Sequence, residues 1–530
     1  MHPQTTNLGW ASVCCKKYSV LDILRANFGA YTSDITHVSQ CLIDAEREAQ
    51  LCDDEIQRLE ADIVALRNQQ QRIYRRIDRY RSLLAPIRKL PPEVLGRIFR
   101  LICIENSVAA EIDCPAVHLS HVCAGWRDLA LSTPSLWSRI SIDLFQSEHD
   151  PSQVRLMLNT CLALSNPLPI FLHLTITDEA DIADFILQSV VRHCARWAEV
   201  HLNIDASHFD KLSPIKGNLP LLHSLEVQTL DDFEMPQDLD SPESLDCFSP
   251  APRLRAVAIG KTYPTTDISA LPWGHISDLK LHFFTDLDCV NDVLRLAAWA
   301  RRVTLSRCTL MGDPPSNISR RFTHSLESLS VILDEDNPDP SQFFRAWIMP
   351  RLNCLHLSIR EMDHLPREVY TFEDFPRFMR RSECTVTTLS LVNLRLSDVE
   401  IIALLQCLTS LADLTLHEHR NDRRNLSLTS SLLRMMTVNH RASSNFHFLP
   451  HLKKIDFRIH LPFSTHLVSM VQSRWIPDDI DAAEMGVDCL DVVKIQVLVS
   501  GDLPTPRLLR PLLAMKTRGF QCTVSLDMLD

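Results

Sequence analysis

His417 and His419 flank Glu418, a pattern that can offer two imidazoles and a carboxylate to a metal ion. The trio follows directly on the apolar Leu414–Leu416 segment, where polar residues mark the end of a strand. No cysteine pair or second histidine pair lies near it in the sequence, so no metal is expected. Other reactive arrangements are missing. Cys14 and Cys15 are adjacent without zinc-finger spacing, no Cys-x-x-Cys occurs, and there is no Gly-x-Ser-x-Gly elbow for a nucleophilic serine. With 11 glycines in 530 residues, phosphate-cradling loops have little to be built from, and neither a Walker-type nor a dinucleotide fingerprint is present. Isolated Ser, His and Asp side chains are abundant, but abundance without geometry supports no catalytic centre. The chain reads as a non-enzyme without a cofactor, and its chemistry as that of binding.

The side chains that most need a partner are apolar. Residues 90–99 read Leu-Pro-Pro-Glu-Val-Leu-Gly-Arg-Ile-Phe. Pro91 and Pro92 suit the first turn of a helix, where a missing N–H costs nothing. Val94, Leu95, Ile98, Phe99, Leu101, Ile102 and Ile104 then occupy nearly every side of it, which predicts burial. Leu119, Val122, Cys123, Trp126, Leu129 and Ala130 recur at helical spacing and predict a second helix with a broad apolar face. Thr133-Pro134 predicts the cap and first turn of a third, carrying Leu136 and Trp137. A unit this small leaves roughly 40% of its chain's surface uncovered. Some of these groups must face another surface, either a partner or, alternatively, the remainder of this chain as an internal helical bundle.

The pattern Leu90-Pro91-x-Glu93-Val94-Leu95-x-x-Ile98-Phe99, then Leu119-Ser120-x-Val122-Cys123-x-x-Trp126-Arg127-x-Leu129-Ala130 and Ser132-Thr133-Pro134-Ser135-Leu136-Trp137, resembles an F-box. It is most similar to F-box proteins numerous in mushroom-forming fungi, where a coiled segment precedes the box and leucine-rich repeats follow. The likeness is dense from about residue 84 to 140. It implies docking on a Skp-type adaptor and, through it, a cullin-based ubiquitin ligase. The adaptor-binding residues it implies are Leu90, Pro91, Val94, Leu95, Ile98, Phe99, Val122, Cys123 and Trp126.

From Leu42 to Leu84 apolar residues step by three and four without a slip: Leu42, Ala49, Ile56, Ile63, Gln70, Ile77 and Leu84 on one row, Ala45, Cys52, Leu59, Leu66, Ile73 and Tyr80 on the other. About six heptads in register predict a coiled-coil helix over 42–86, roughly 65 Å long. Its charge is polarised, acidic over 41–62 and basic over 67–89. In a parallel homodimer Glu48 would meet Asp53, Glu55 would meet Glu60 and Arg76 would meet Arg81. An antiparallel pair instead brings Glu46 to Arg81, Glu60 to Arg67 and Glu55 to Arg76, so self-association through 42–84 is expected to be antiparallel. The alternative is that the helix packs on its own chain, for example on Tyr18–Phe28. The basic run Arg72, Arg75, Arg76, Arg79, Arg81, Arg88 and Lys89 could serve nuclear import or an acidic adaptor; a solvated helix face is the plainer reading.

Beyond the box one pattern recurs, an apolar residue, two variable ones, then apolar-x-apolar, as in Leu222-x-x-Leu225-x-Val227 and Leu411-x-x-Leu414-x-Leu416. Centres fall at 172, 200, 225, 257, 279, 303, 329, 355, 389, 414 and 455. Most gaps are about 22–34 residues, the period of leucine-rich repeats with one strand and one return per unit. Such units must stack to bury their apolar faces. Helical returns are expected at Asp181–Val191 and Val399–Leu408. The consensus Asn after the strand is mostly absent, with Asn393 and Cys308 the closest substitutes; a mixed α/β sandwich is the alternative. Asp231–Asp246 and Asp334–Pro340 read as acidic loops, the first a possible contact for a basic client segment. Gln472–Gly486 reads as an irregular insertion after which the register is doubtful.

A formal net charge of −12 argues against general nucleic-acid binding. No run approaches the roughly eighteen apolar residues of a membrane span, and the N-terminus lacks a signal-peptide layout. The 17 cysteines are scattered singly and read as reduced, mostly buried thiols of a cytoplasmic or nuclear protein. The expected fold is α/β: an extension (1–41), a long coiled-coil helix (42–86), a small three-helix F-box (87–145), and an irregular leucine-rich-repeat solenoid of parallel strands (146–530). The expected function is substrate recognition for a Skp–cullin–F-box ubiquitin ligase, with an unidentified client on the strand face. The alternative is a non-ligase interaction scaffold associating through its coiled coil.

Overall fold

Two apolar ladders organise most of the molecule. The computed structural model describes residues 35–528 apart from 110, 145–149, 177–180, 205, 229–244, 261–267, 285–286, 307–320, 334–340, 360–371, 421–427, 441–446, 461–464, 500–508 and 516–519. Cys14, Cys15, Tyr18–Phe28, Cys308, the Asp334–Pro340 loop and nearly all of Asp231–Asp246 lie outside these residues; Asp246 itself pairs with Lys216 at 2.5 Å. The chain divides into two units at Pro91–Pro92.

The first unit contains α1 (Ile35–Leu84), one helix of 50 residues, about 75 Å long. No Gly or Pro interrupts it. It starts before Leu42 and stops at Leu84 rather than running to 86. The reason is Pro86, whose ring disfavours helical backbone at the residue before it; Ala85 accordingly sits at ψ 132°, and a 3-10 turn, Pro86–Lys89, follows. Ile56, Leu59, Ile63 and Leu66 are all exposed along this helix.

The second unit is built on a sheet of 16 strands among the described residues, parallel throughout except at one end. A strand lies at every centre the repeat pattern marks, from Ile170–Ile176 to Lys454–His460. One ladder runs Ile140, Leu172, Val200, Leu225, Val257, Leu279, Val303, and on through Leu329, Leu355, Leu389, Leu414, Ile455, Val493 and Cys522. None of these side chains is more than 2% exposed. The period-2 alternation of a strand sends the residues between the rungs, such as His201, Glu226, Lys280 and Asp456, to the opposite face.

Returns vary in kind, which is why the period is irregular. Asp181–Val191 is a helix burying Ala183, Ile186, Leu187 and Val190. Asp398–Gln406 is another, opened by a capping box in which Ser397 and Glu400 satisfy each other's backbone N–H groups. Elsewhere the described part of the return holds 3-10 turns, as at Leu245–Phe248 and Trp273–His275. Asn393 replaces the consensus turn residue: it adopts a left-handed φ of 60° and its Nδ2 donates to the Ile359 carbonyl at 3.2 Å.

Gln472–Gly486 is not an irregular insertion. It comprises the end of helix His466–Arg474 and the helix Asp479–Met485, closed by Gly486 at φ 66°. The register then continues without loss into strands Val492–Val499 and Gln521–Met528. Arg474, buried in this return, donates to the carbonyls of Met436, Leu449 and Phe448 and so ties the end of one helix to the adjoining Phe448–Leu449 segment.

Candidate docking site

Helix α2 (Pro92–Ile102) begins at Pro92 with Pro91 just outside, and Glu93 in its first turn complements the positive end of the helix dipole. It does not bury every side. Leu95, Phe99 and Cys103 repeat every four residues and turn inward. Val94, Ile98, Leu101 and Ile102 form a neighbouring stripe that remains at the surface, with Leu101 77% exposed and Ile104, just beyond the helix, 72% exposed.

The second predicted helix is two. Helix α3 (Pro115–Ser120) buries Ala116 and Leu119 and ends where Ser120 Oγ donates back to the Val117 carbonyl. Helix α4 (Ala124–Leu131) starts after Cys123, which is fully extended at φ −161°, ψ 169°. The helical spacing of Leu119–Ala130 therefore spans a break. The break turns Val122 outward, where it is 60% exposed.

Thr133 does not cap a third helix. Its Oγ1 donates to the Leu129 carbonyl at 2.6 Å, closing α4, and only a 3-10 turn (Pro134–Leu136) follows. Trp137 is buried, and its indole N–H donates to the Ala130 carbonyl at 2.9 Å. These bonds fix the last turn of α4 against the turn that follows it.

Three strands the sequence reading did not assign anchor the helices. Strand β1 (Asn106–Val108) lies parallel to β3 (Arg139–Asp143), the first rung of the array, and β2 (Ile112–Asp113) pairs antiparallel with β1 at the sheet's end. Buried Asn106 donates through Nδ2 to the carbonyls of Leu136 (2.8 Å) and Arg139 (3.2 Å). A separate three-helix box is thus not what forms: its helices are fused to the sheet, and Leu95, Phe99, Leu119, Leu136 and Trp137 join one continuous core with the array. Burial, with Asp113 nearby, pushes the Cys103 and Cys114 thiols up to about 11, so both stay protonated and act as small apolar groups.

The nine expected contact residues divide accordingly. Phe99 is fully enclosed and Leu95 nearly so, which makes them supports of the site. Val94, Pro91 and Val122 are exposed; Leu90, Ile98, Cys123 and Trp126 are half-buried. The structure brings Phe99 and Trp126 into contact, linking α2 to α4. Leu101, Ile102, Ile104 and Leu131 are exposed apolar groups that the nine omit. Their signal was available, since Leu101 lies seven residues from Val94 on the same helical stripe.

Residues 87–143 match the family model for an F-box-like domain. The F-box-like segment therefore covers α2 to β3, including the strand that opens the sheet. Comparison with curated proteins finds none that matches the chain.

The His417–His419 segment serves the fold. His417 Nε2 lies 3.1 Å from Asp456 Oδ1, while Glu418 is buried and accepts the backbone N–H groups of Leu428 (3.2 Å) and His460 (3.0 Å). The His419 carbonyl meets His460 Nε2 at 2.8 Å. The carboxylate is committed to backbone donors, and the His417 imidazole faces Asp456. Among the described residues no group of three or more His, Cys, Asp or Glu side chains is placed to hold a metal ion, and no helix is long and apolar enough to cross a membrane.

Proposed function

We propose that this chain is a substrate-recognition subunit of a Skp–cullin–F-box ubiquitin ligase, of the kind found in mushroom-forming fungi and acting in the cytosol or nucleus. The observation that carries this reading is the apolar stripe of Val94, Ile98 and Leu101 with Ile104 and Val122, left at the surface of an F-box-like segment whose inner face is already packed. Large exposed apolar patches mark interaction sites, and F-box domains bind Skp-type adaptors. The solenoid-like sheet is read as a degenerate leucine-rich-repeat array whose polar face holds a client protein. The chain itself performs no chemistry. It raises the client's effective concentration beside a charged ubiquitin-conjugating enzyme.

Co-expression of the full chain with a Skp-type adaptor tests this. A stable complex is expected, and Leu101→Asp with Val122→Asp should weaken it by far more than tenfold, since covering each side chain is worth about 1.5–3 kcal/mol. Both positions are exposed, so circular dichroism should show the fold intact. No complex, or binding indifferent to both changes, overturns the assignment.

A further inference from the structure

We propose that α1 is a dimerisation helix that pairs antiparallel with α1 of a second copy of this chain, with Ile63 of one copy facing Leu66 of the other at the midpoint. The helix is uninterrupted through the whole seam, and Ile56, Leu59, Ile63, Leu66 and Ile73 are between 39% and 63% exposed. A helix with an apolar stripe of about six heptads is well beyond the three to four that specify a coiled coil.

Two independent features select a second, inverted copy as the occupant. The first is size. In the inverted alignment Ala45 opposes Leu84, Ala49 opposes Tyr80 and Cys52 opposes Ile77, so each layer joins a small residue to a large one and fills evenly. A parallel pair would stack Ala on Ala near one end and Tyr on Tyr near the other. The second is charge. Glu46 faces Arg81, Glu60 faces Arg67 and Glu55 faces Arg76, each twice by symmetry, whereas a parallel pair sets three like-charge pairs (Glu48 with Asp53, Glu55 with Glu60, Arg76 with Arg81) against one attractive pair, Asp62 with Arg67. Among the described residues Glu46, Glu60, Arg67 and Arg76 have no salt-bridge partner within the chain, and Glu55 is held only by Arg58 one turn away on the same helix, at 2.6 Å.

The inverted alignment places the two Leu84 ends on the order of 60 Å apart, at about 1.5 Å per residue. Each copy of the F-box-like segment follows within a few residues of such an end. The dimer stands whether or not the F-box-like segments engage an adaptor.

The full-length chain carries its own reporter. Parallel pairing would bring the two exposed Cys52 side chains together in one layer, whereas antiparallel pairing holds them on the order of 37 Å apart. Sedimentation at micromolar concentration should show a dimer. Mild oxidation should then crosslink Ile77→Cys to Cys52 of the other copy, and adding Cys52→Ser should abolish that link. Glu55→Arg with Glu60→Arg should weaken the dimer by about tenfold or more, and further Arg67→Glu with Arg76→Glu should restore it. A monomer throughout, as when α1 packs on its own chain, overturns the proposal. A Cys52–Cys52 crosslink in the unsubstituted chain does the same.

Discussion

The Phe99 ring meets the Trp126 indole edge-on, with centroids 5.0 Å apart and planes at 64°. Phe99 is wholly enclosed, while Trp126 keeps one side at the surface. The two therefore answer differently to truncation. Phe99→Ala should cost about 3–5 kcal/mol of stability through the cavity it leaves. Trp126→Phe preserves an aromatic edge contact and should cost clearly less. Urea denaturation of both variants checks this, and equal losses would contradict the division into support and surface.

Asn106 gives one amide group to two backbone carbonyls, that of Leu136 buried and that of Arg139 partly exposed, so Asn106→Ala strands the first and loosens the second. The expected cost is about 1–3 kcal/mol. Asn106→Asp should be worse, because a carboxylate has no proton to donate and would be buried with its charge. Thermal melts of the two variants decide it; an unchanged melting temperature in either would show that the tie between β1 and the turn before β3 carries no weight.

His201 and Glu226 face each other across neighbouring strands at 3.2 Å. Their hydrogen bond, opposed by burial, holds the Glu226 carboxyl at about 2, below its ordinary 4.5, and raises His201 above 6.5, with Glu199 adding to and Lys280 opposing the latter. The Glu226 contribution is complete above pH 4.5 and fades as the pH falls toward 2. The His201 contribution is complete below pH 6.5 and fades as the pH climbs through its raised value. The pair should thus stabilise most near about pH 5.5, by roughly 0.5 kcal/mol because it is partly solvated. His201→Gln should narrow its gap to the parent at both acid and alkaline pH, and a gap independent of pH would refute the assignment.

Burial also sorts the thiols. Cys103 and Cys114 are raised to about 11 and Cys247 to about 12 by desolvation, whereas Cys41 and Cys289 are exposed. Reaction requires the thiolate and access to it. Maleimide labelling of the native protein, read by mass spectrometry, should modify the second group promptly and the first only on unfolding.

The strand positions were readable because burying one face of a parallel sheet demands the same residue class at the same two rungs of every unit. Leu389 and Leu391, or Leu414 and Leu416, announce themselves. Ile140 and Ile142 belong to the same ladders but follow Trp137 rather than an aliphatic residue, so the repeat pattern is harder to read there. The last two strands escaped because the preceding return is two helices long, although the alternation of Val493, Ile495 and Val497 carried the signal. At the docking site the spacing of Leu119 to Ala130 could not reveal a break, since both helices turn apolar residues to one core. Nor could composition tell Phe99 from Leu101; that depends on which side of α2 the sheet occupies, a matter of β1 joining β3.

That junction has a mechanical corollary. Because β1 lies in the same hydrogen-bonded sheet as every later strand, α2 and α4 cannot swivel freely against the array. Leu101 and Val122 are therefore held at a fixed bearing relative to the polar strand face. Under the function proposed above, which lysines of a bound target come within range would be dictated by rigid architecture, much as a jig sets where a drill can fall.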